Sequence, residues 1–254
     1  VEAGFQYSRN ENDRDWLFNR PVFSGIIPFN TEDDTYNLLQ TTRSTKYDFN
    51  INAKHYWVLH RFHHIYPEAG INVTHQTYYT LDTQQSNGGN LVDFTDGGFN
   101  NDVNFKLSDS YFGFQYKAKA DEFIFKPGLF YHYYFWTVDQ FETREVGAGK
   151  AVLLPELLVE WEMNSGEKLR LKYNRQSQFG NASQLANRLR LSSFNGLFSG
   201  NGNLENELSH SASLFYSKFS LYRGIFMNAG LSYRHTENAI RNTTQIEGID
   251  QINT

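Results

Sequence analysis

Three histidines lie close together in the segment HRFHH, at positions 60, 63 and 64. Imidazole nitrogens are good zinc ligands, so His60, His63 and His64 are candidate metal-binding residues. A tetrahedral zinc site needs a further ligand, and the segment is also typical of a short turn whose polar and aromatic residues lie at a membrane interface. Both interpretations stay open at this stage.

A second cluster, in DFTDGGFNND, places Asp93, Asp96 and Asp102 in a glycine-rich segment. Carboxylates are hard oxygen ligands that suit calcium. The spacing does not match the EF-hand loop, which needs oxygens at its first, third and fifth positions before the glycine. A surface loop without metal is the alternative.

Charged residues of opposite sign alternate along two neighbouring segments, with glutamates on the first and cations on the second. Paired carboxylates can act as general acid and base in glycoside hydrolysis. Alternating carboxylates opposite alternating cations are better explained as a salt-bridged wall that faces water. With no Ser/His/Asp arrangement indicated by spacing, we expect no catalytic residue and no cofactor. The residues concerned are Glu156, Glu160, Glu162, Arg170 and Lys172.

The elements that must carry these residues are strands, because nine segments alternate apolar and polar side chains. The clearest is 225–236, where Ile225, Met227 and Ala229 alternate with Asn228 and Gly230. Such a strand has one apolar face, which meets either a core or lipid. The approximate bounds are 1–8, 44–59, 66–83, 105–119, 123–139, 152–164, 168–178, 208–220 and 225–236.

Composition favours lipid as the solvent of the apolar face. Aromatic residues make up 17% of the 254 residues, with 16 Tyr and 22 Phe, which exceeds the need of a soluble core and suits the aromatic girdles of membrane barrels. No apolar run approaches the ~18 residues of a transmembrane helix. The net charge of −5 without a basic stripe gives nucleic-acid binding no support, and the absence of cysteine excludes disulfides and thiolate chemistry.

The connections between the segments alternate between long and short. The long or medium ones are 9–43, 85–103, 141–151 and 179–207, and the short ones are 60–64, 119–122, 165–167 and 223–224. Up-and-down membrane barrels sort their loops in this way. The sequence therefore predicts an all-β, antiparallel up-and-down transmembrane β-barrel. Nine strands cannot close the usual even-numbered barrel, so we expect one domain over 1–254, truncated at both ends, as part of a larger barrel.

The alternation also predicts which side chains line the water-filled lumen. A three-residue turn at 165–167 would pair Trp161 with Leu171 and Glu160 with Lys172, and a bulge or interfacial girdle is expected near Lys218. The predicted lumen-facing residues are Asp48, Asn50, Asn52, Glu156, Glu160, Glu162, Arg170, Lys172, Ser209, Ser211, Ser213, Asn228 and Arg234.

One motif carries a resemblance to a known family. The run LRLKYNRQSQF, a polar loop and GNGNLENELSHSASLFYSKFS are similar to the barrel of Bacteroidetes-type TonB-dependent-receptor-like outer-membrane proteins. In that family the loop ends in a G-N-P-N-L-x-P-E-like motif, and here Gly202 and Asn206 replace its prolines. TTRSTKYDFNINAKHYW and VEAGFQYS resemble strands of the same family.

The resemblance implies a barrel of about 22 strands with an N-terminal plug, located in the bacterial outer membrane. It implies nutrient uptake driven by TonB, often with a surface lipoprotein, so the expected partners are outer-membrane lipid, the missing strands and plug, TonB and that lipoprotein. Two other functions remain open. One is a soluble β-sheet module that binds glycans, and the other is a small complete barrel acting as an enzyme or adhesin, with His75 and Asp82 or Asp139 as crude site candidates.

Overall fold

The computed structural model describes residues 1–30, 32–33, 35–141, 143–147, 149–247 and 250–254. In chain order the elements are β1 (Glu2–Phe18), β2 (Tyr36–Lys54), β3 (Trp57–His60), β4 (His63–Gln85), β5 (Leu91–Asp93), β6 (Asp102–Ala120), β7 (Phe123–Gln140), β8 (Thr143–Val146), β9 (Lys150–Asn164), β10 (Glu167–Gln178), α1 (Ala182–Leu185), β11 (Arg190–Ser193), β12 (Gly196–Phe198), β13 (Glu207–Ser220), β14 (Ile225–Glu237), β15 (Thr244–Glu247) and β16 (Asp250–Asn253).

Nine long strands form one antiparallel sheet in sequence order, β1-β2-β4-β6-β7-β9-β10-β13-β14. Each strand therefore pairs with the long strands before and after it, which is the up-and-down topology that the sequence predicts. The short strands β3, β5 and β8 extend hairpins on β4 and β7. Within the described part of the chain, none of the helices has the length and apolar character that a membrane crossing requires.

In the middle of the sheet, the pairing register places rows of apolar side chains from neighbouring strands on one face. Phe5 lies opposite Phe49, and Phe49 lies opposite Val73, so one row of apolar side chains crosses three strands. Directly opposed residues share a face, and each strand continues the pattern of its neighbour. These side chains are exposed rather than packed into a core. We call the exposed rows the apolar belt, which comprises Phe5, Tyr7, Tyr47, Phe49, Ile51, Ile71, Val73, Phe112, Phe114, Leu129, Tyr131, Tyr133, Leu153, Leu171, Leu214, Leu231 and Tyr233.

The opposite, polar face is covered at one end by the long connections. Segment 19–30, the 94–101 turn and the long 179–206 connection pack onto the ends of the strands and form two apolar clusters. The first cluster is centred on the buried residues Phe18, Phe94 and Phe99, and the second on Phe105 and Leu185. We call this end of the sheet the covered end. The protein's apolar core thus lies between connections and sheet, while the belt stays open.

A second, four-stranded sheet has the order β11-β12-β16-β15 and belongs to the covered end. Leu197 of β12 pairs with Ile252 of β16 in parallel, so the end of the chain returns to the 179–206 connection. Leu191 and Leu197 of this sheet are fully buried in the first cluster. The sheet fixes the connection against the ends of β1 and β2.

All nine predicted segments are strands of the main sheet, and most bounds agree within three residues. The largest errors concern the first connection, which was predicted at 9–43 but spans only the residues between Phe18 and Tyr36. Residues 9–18 and 36–43 continue the β1–β2 hairpin. Positions 9–15 and 40–43 have polar side chains on both faces, so the alternation is lost there. The second segment also ends at Lys54 instead of 59, because 57–60 form the separate strand β3.

The predicted register at the β9–β10 turn is wrong by two residues. Trp161 pairs with Leu169 rather than Leu171, and Glu160 pairs with Arg170 rather than Lys172. The turn comprises only Ser165 and Gly166, and a register shift next to Lys168 absorbs the odd residue. A shift of two residues leaves every side chain on its predicted face.

The bulge expected near Lys218 is absent, because β13 pairs without a register shift with both β10 and β14 up to its last residues. Phe215 and Phe219 are instead aromatic positions on the polar face of a regular strand, both exposed. The predicted alternation of connections is confirmed. Two-residue turns follow β6 and β9 at one end, and the long connections lie together at the other end.

A candidate ligand cavity on the polar face

The polar face carries a continuous hydrogen-bonded network across the middle strands. His132 Nδ1 lies 2.8 Å from Asp109 Oδ1, and Asn72 Nδ2 donates to Asp109 Oδ2 at 3.1 Å. The ring of His132 is stacked between Tyr111 and Tyr134, with centroids 4.9 Å and 5.7 Å apart. Fully partnered side chains of this kind hold a rigid wall rather than a free catalytic group.

A salt-bridged wall is present on β9 and β10, but its charge pairs differ from the predicted ones. Arg170 Nε donates to Glu160 Oε1 at 2.6 Å, and Lys168 Nζ lies 2.9 Å from Glu162 Oε1. Lys168, which the sequence prediction did not include, replaces Lys172 because of the two-residue register error. Lys172 lies opposite Leu158 and next to Ser213 on β13. Arg170 and Lys168 thus neutralise Glu160 and Glu162, whereas Glu156 accepts a hydrogen bond from Gln115.

The other predicted lumen residues share this face. On β2, Asp48 accepts from Thr74 Oγ1 at 2.7 Å and forms an ion pair with Lys46 at 2.9 Å. Asn50 lies opposite Asn72. The remaining ones form cross-strand rows: Asn52 with Gly70, Glu156 with Gly128, Ser209 with Gln176 and Thr236, Ser211 with Asn174 and Arg234, Ser213 with Ser232, and Asn228 with Ser217.

The histidine cluster lies at the β3–β4 turn, where His60 pairs with His63 and their ring centroids are 6.1 Å apart. His63 Nδ1 is 2.6 Å from the Tyr116 hydroxyl. His64 is the next residue of β4 and therefore points to the opposite face. Among the described residues there is no group of three or more His, Cys, Asp or Glu side chains that could hold a metal ion.

The aspartate cluster is divided between a turn and a strand. Asp93 Oδ1 accepts from the Thr95 backbone N–H at 2.6 Å and from Asn100 Nδ2 at 2.7 Å, so this carboxylate closes its own turn. Asp96 lies in the following 3₁₀ turn, and Asp102 begins β6. The structure places His75 and Asp82 on opposite faces of β4, which does not bring these crude site candidates together.

A cavity of about 480 Å³ lies on the polar face between β1, β2, β4 and α1. We call it the loop cavity, because the 179–206 connection closes one side of it. Every lining residue except Ala182 carries a hydroxyl, amide or cationic group, although their carbon atoms also contribute to the lining. The lining residues are Ser8, Arg9, Asn10, Asn12, Arg14, Gln40, Thr42, Ser44, Thr45, Lys46, Gln76, Thr77, Tyr78, Asn181, Ala182, Ser183 and Arg190.

The 179–206 connection is held over the cavity by specific hydrogen bonds. The Ala182 backbone N–H donates to Gln76 Oε1 at 3.0 Å, and Gln40 Nε2 donates to the Leu191 carbonyl oxygen at 2.8 Å. Asn181 caps α1 by accepting from the Gln184 backbone N–H at 3.0 Å. Buried contacts of Ala182 with the second apolar cluster complete the anchor.

Asp82 contacts Gln40 at the covered end of the sheet. Val73 is the last belt residue on β4, and Asp82 lies about 30 Å further along the same strand. Its side chain is fully buried, and one carboxylate oxygen accepts from Gln40 while the other has no hydrogen-bond partner. Burial raises the pKa of Asp82 to about 7, against the lowering effects of the Gln40 hydrogen bond and of the Arg190 charge.

The sequence prediction missed the loop cavity. Arg14 fell inside the predicted first connection, and Arg190 fell inside the long connection before β13. The two residues are far apart in sequence, and both line the cavity because the 179–206 connection folds onto the sheet. No local spacing could have revealed this arrangement.

The sequence matches the model of the outer membrane protein beta-barrel family over residues 1–254. The chain therefore belongs to this family of outer-membrane barrels, and its location is the bacterial outer membrane. No curated protein matches the sequence significantly.

Solved structures of outer-membrane receptors are similar in part. The alcaligin outer membrane receptor FauA from Bordetella pertussis aligns with 12% identity and a TM-score of 0.46, covering 96% of this chain and 39% of the receptor. The siderophore receptor PirA from Pseudomonas aeruginosa aligns with 9% identity and a TM-score of 0.36, covering 89% of this chain and 58% of the receptor. The chain thus spans less than two thirds of either receptor.

Proposed function

We propose that the chain forms part of the barrel of a TonB-dependent-type transporter or receptor, which takes up a nutrient across the outer membrane and performs no catalysis. The observation that carries this proposal is the two-faced sheet. One face exposes the apolar belt, and the other carries a polar wall with a cavity under a long connection. An exposed belt of aromatic and aliphatic side chains suits lipid, and a polar wall suits a water-filled passage.

In this proposal the belt faces outer-membrane lipid and the polar face lines the lumen, with the covered end outside the cell. The residues proposed to face the lumen are those of the predicted set, from Asp48 on β2 to Arg234 on β14. Within the described residues, β1 pairs only with β2 and β14 only with β13, so both edges of the sheet can accept further strands. Further strands, a plug, TonB and a surface lipoprotein are the proposed partners.

Uptake by intact cells tests the proposal. A strain that lacks the gene and a complemented strain would be grown on single nutrients at limiting concentration. For a nutrient on which only the complemented strain grows, its accumulation in cells would be measured with and without a protonophore. We expect accumulation that requires both the protein and the proton-motive force. Accumulation that the protonophore leaves unchanged would indicate a passive pore and contradict the TonB-dependent assignment.

A further inference from the structure

We propose that the loop cavity binds an anionic group of the transported molecule, a carboxylate or a phosphate, through Arg14 and Arg190. This inference rests on the proposed transport function and specifies the class of its substrate. It follows from the charges of the cavity, from the position of the Arg190 side chain in its lining and from the hydrogen bond by which Gln40 holds the segment of Arg190 near the strand that carries Arg14.

The cavity lining has an excess of positive charge. Four of its residues are basic, and none of its described residues is Asp or Glu. Two of the four are already neutralised, since Arg9 pairs with Glu11 at 3.0 Å and Lys46 pairs with Asp48 at 2.9 Å. Among the described residues, Arg14 and Arg190 form no ion pair at all. Arg190 interacts at longer range with the buried Asp82 carboxyl, and burial favours the neutral form of that carboxyl by raising its pKa. Two guanidinium groups without a direct ion-pair partner in a partly closed cavity favour an anion.

Arg190 is held in place but is not satisfied. Its guanidinium carbon lies 4.7 Å from the centroid of the Phe198 ring, so the planar group is supported by the neighbouring strand β12. Its Nε atom is buried and has no hydrogen-bond partner. Arg190 also lines the cavity, and carboxylate and phosphate oxygens match the geometry of its guanidinium fork.

Gln40 lies between the two segments that carry the arginines. It is directly opposite Arg14 in the β1–β2 ladder, and it donates to the carbonyl oxygen of Leu191, the residue after Arg190. This hydrogen bond holds the segment of Arg190 against the strand next to Arg14, and both arginines line the same cavity. Arg14 also stays close to the sheet, with its guanidinium carbon 6.0 Å from the Trp16 ring centroid.

The rest of the lining restricts the ligand further. Thr42, Ser44, Ser183 and the amides of Asn10 and Asn12 offer hydroxyl and amide groups. Such groups form hydrogen bonds with a hydroxylated molecule and offer little to an apolar one. The class of substrate that fits is a small, polar, hydroxylated acid or phosphate.

Binding of citrate and inorganic phosphate to the detergent-purified protein tests the inference by titration calorimetry, with sucrose as the neutral probe. Arg14→Gln and Arg190→Gln are expected to weaken citrate binding about tenfold each, because each removes a charge-assisted hydrogen bond. Arg175→Gln is the matched control. Arg175 lies on the other face of β10, where it contacts Glu237 at 3.5 Å, and its loss should leave the affinity unchanged.

A second measurement covers variants that do not fold. Phenylglyoxal modifies accessible arginines of the wild-type protein, and citrate should protect Arg14 and Arg190 but not Arg175. Equal citrate affinity in all variants, equal binding of sucrose, or no protection would overturn the inference. Citrate binding without energy-dependent uptake contradicts the proposed function alone, whereas energy-dependent uptake without anion binding contradicts this inference alone.

Discussion

Gln40 Nε2 donates to Asp82 Oδ1 at 2.8 Å, and both side chains are buried where the long connections cover the sheet. The contact joins β2 to β4 behind the loop cavity. It supplies one partner to a carboxylate whose second oxygen has none. A buried carboxylate with a single partner is protonated more readily than one in water, and the stability of the covered end should therefore depend on pH.

Asp82→Asn is expected to reduce this dependence. The pKa of Asp82 is raised to about 7, so the folded state binds a proton more tightly than the unfolded state does. The free energy of unfolding should therefore fall as pH rises from about 4 to about 7, by about 1.4 kcal/mol for each pKa unit of difference. Melting temperatures in detergent across this range measure it. Asp13→Asn on the exposed hairpin is the control. A melting temperature of the wild-type protein that does not change with pH over this range would refute the raised pKa of Asp82.

Gly113→Ala is expected to destabilise the sheet. A Cβ at this position would meet the Leu129 carbonyl oxygen and the Phe130 ring, and would lie 2.7 Å from the Phe130 Cα atom. Backbone atoms cannot move aside without disturbing the β6–β7 ladder, so we expect a loss of about 1–3 kcal/mol. Gly230→Ala is the matched control, because its nearest neighbour, a Phe215 ring carbon, is at 3.5 Å. Heat-dependent migration on gels compares the two variants, and equal stability would contradict the close packing.

Substitution by arginine should destabilise the protein much more on one face of β2 than on the other. Phe49 belongs to the apolar belt, and its neighbour Asn50 lies on the polar face. If the belt faces lipid, Phe49→Arg costs about 2–4 kcal/mol near the membrane midplane, and Asn50→Arg costs little. Folding into lipid vesicles at increasing urea concentration measures both. Equal losses would indicate that neither face is in contact with lipid.

The sequence alone predicts the part of the fold that depends on alternation. Strands such as β14 alternate strictly, and the belt residues of β2 and β4 can be identified from the sequence pattern. The outer halves of β1 and β2 could not be predicted, because residues such as Arg9 and Asn10 are polar on both faces. The β9–β10 register could not be predicted because it depends on the length of the turn. An error of two residues keeps every side chain on its predicted face, so the alternation pattern does not reveal it.

The loop cavity lies beyond any prediction from local pattern. The pairing of Leu197 with Ile252 joins two short strands that are separated in the chain by β13, β14 and β15. Neither strand has enough residues to show a period. Arg14 and Arg190 line one cavity only when the connections are folded onto the sheet.

Thiol labelling of β2 tests the central claim most directly, that one face of the sheet meets lipid and the other meets water. The chain contains no cysteine, so a single introduced cysteine is its only thiol. Cysteine would replace Phe49, Asn50, Ile51 or Asn52 in turn, and a polar, membrane-impermeant maleimide would be applied to purified outer membranes. The account predicts labelling at positions 50 and 52 and protection at 49 and 51. Equal labelling at all four positions, or the reverse pattern, would contradict it.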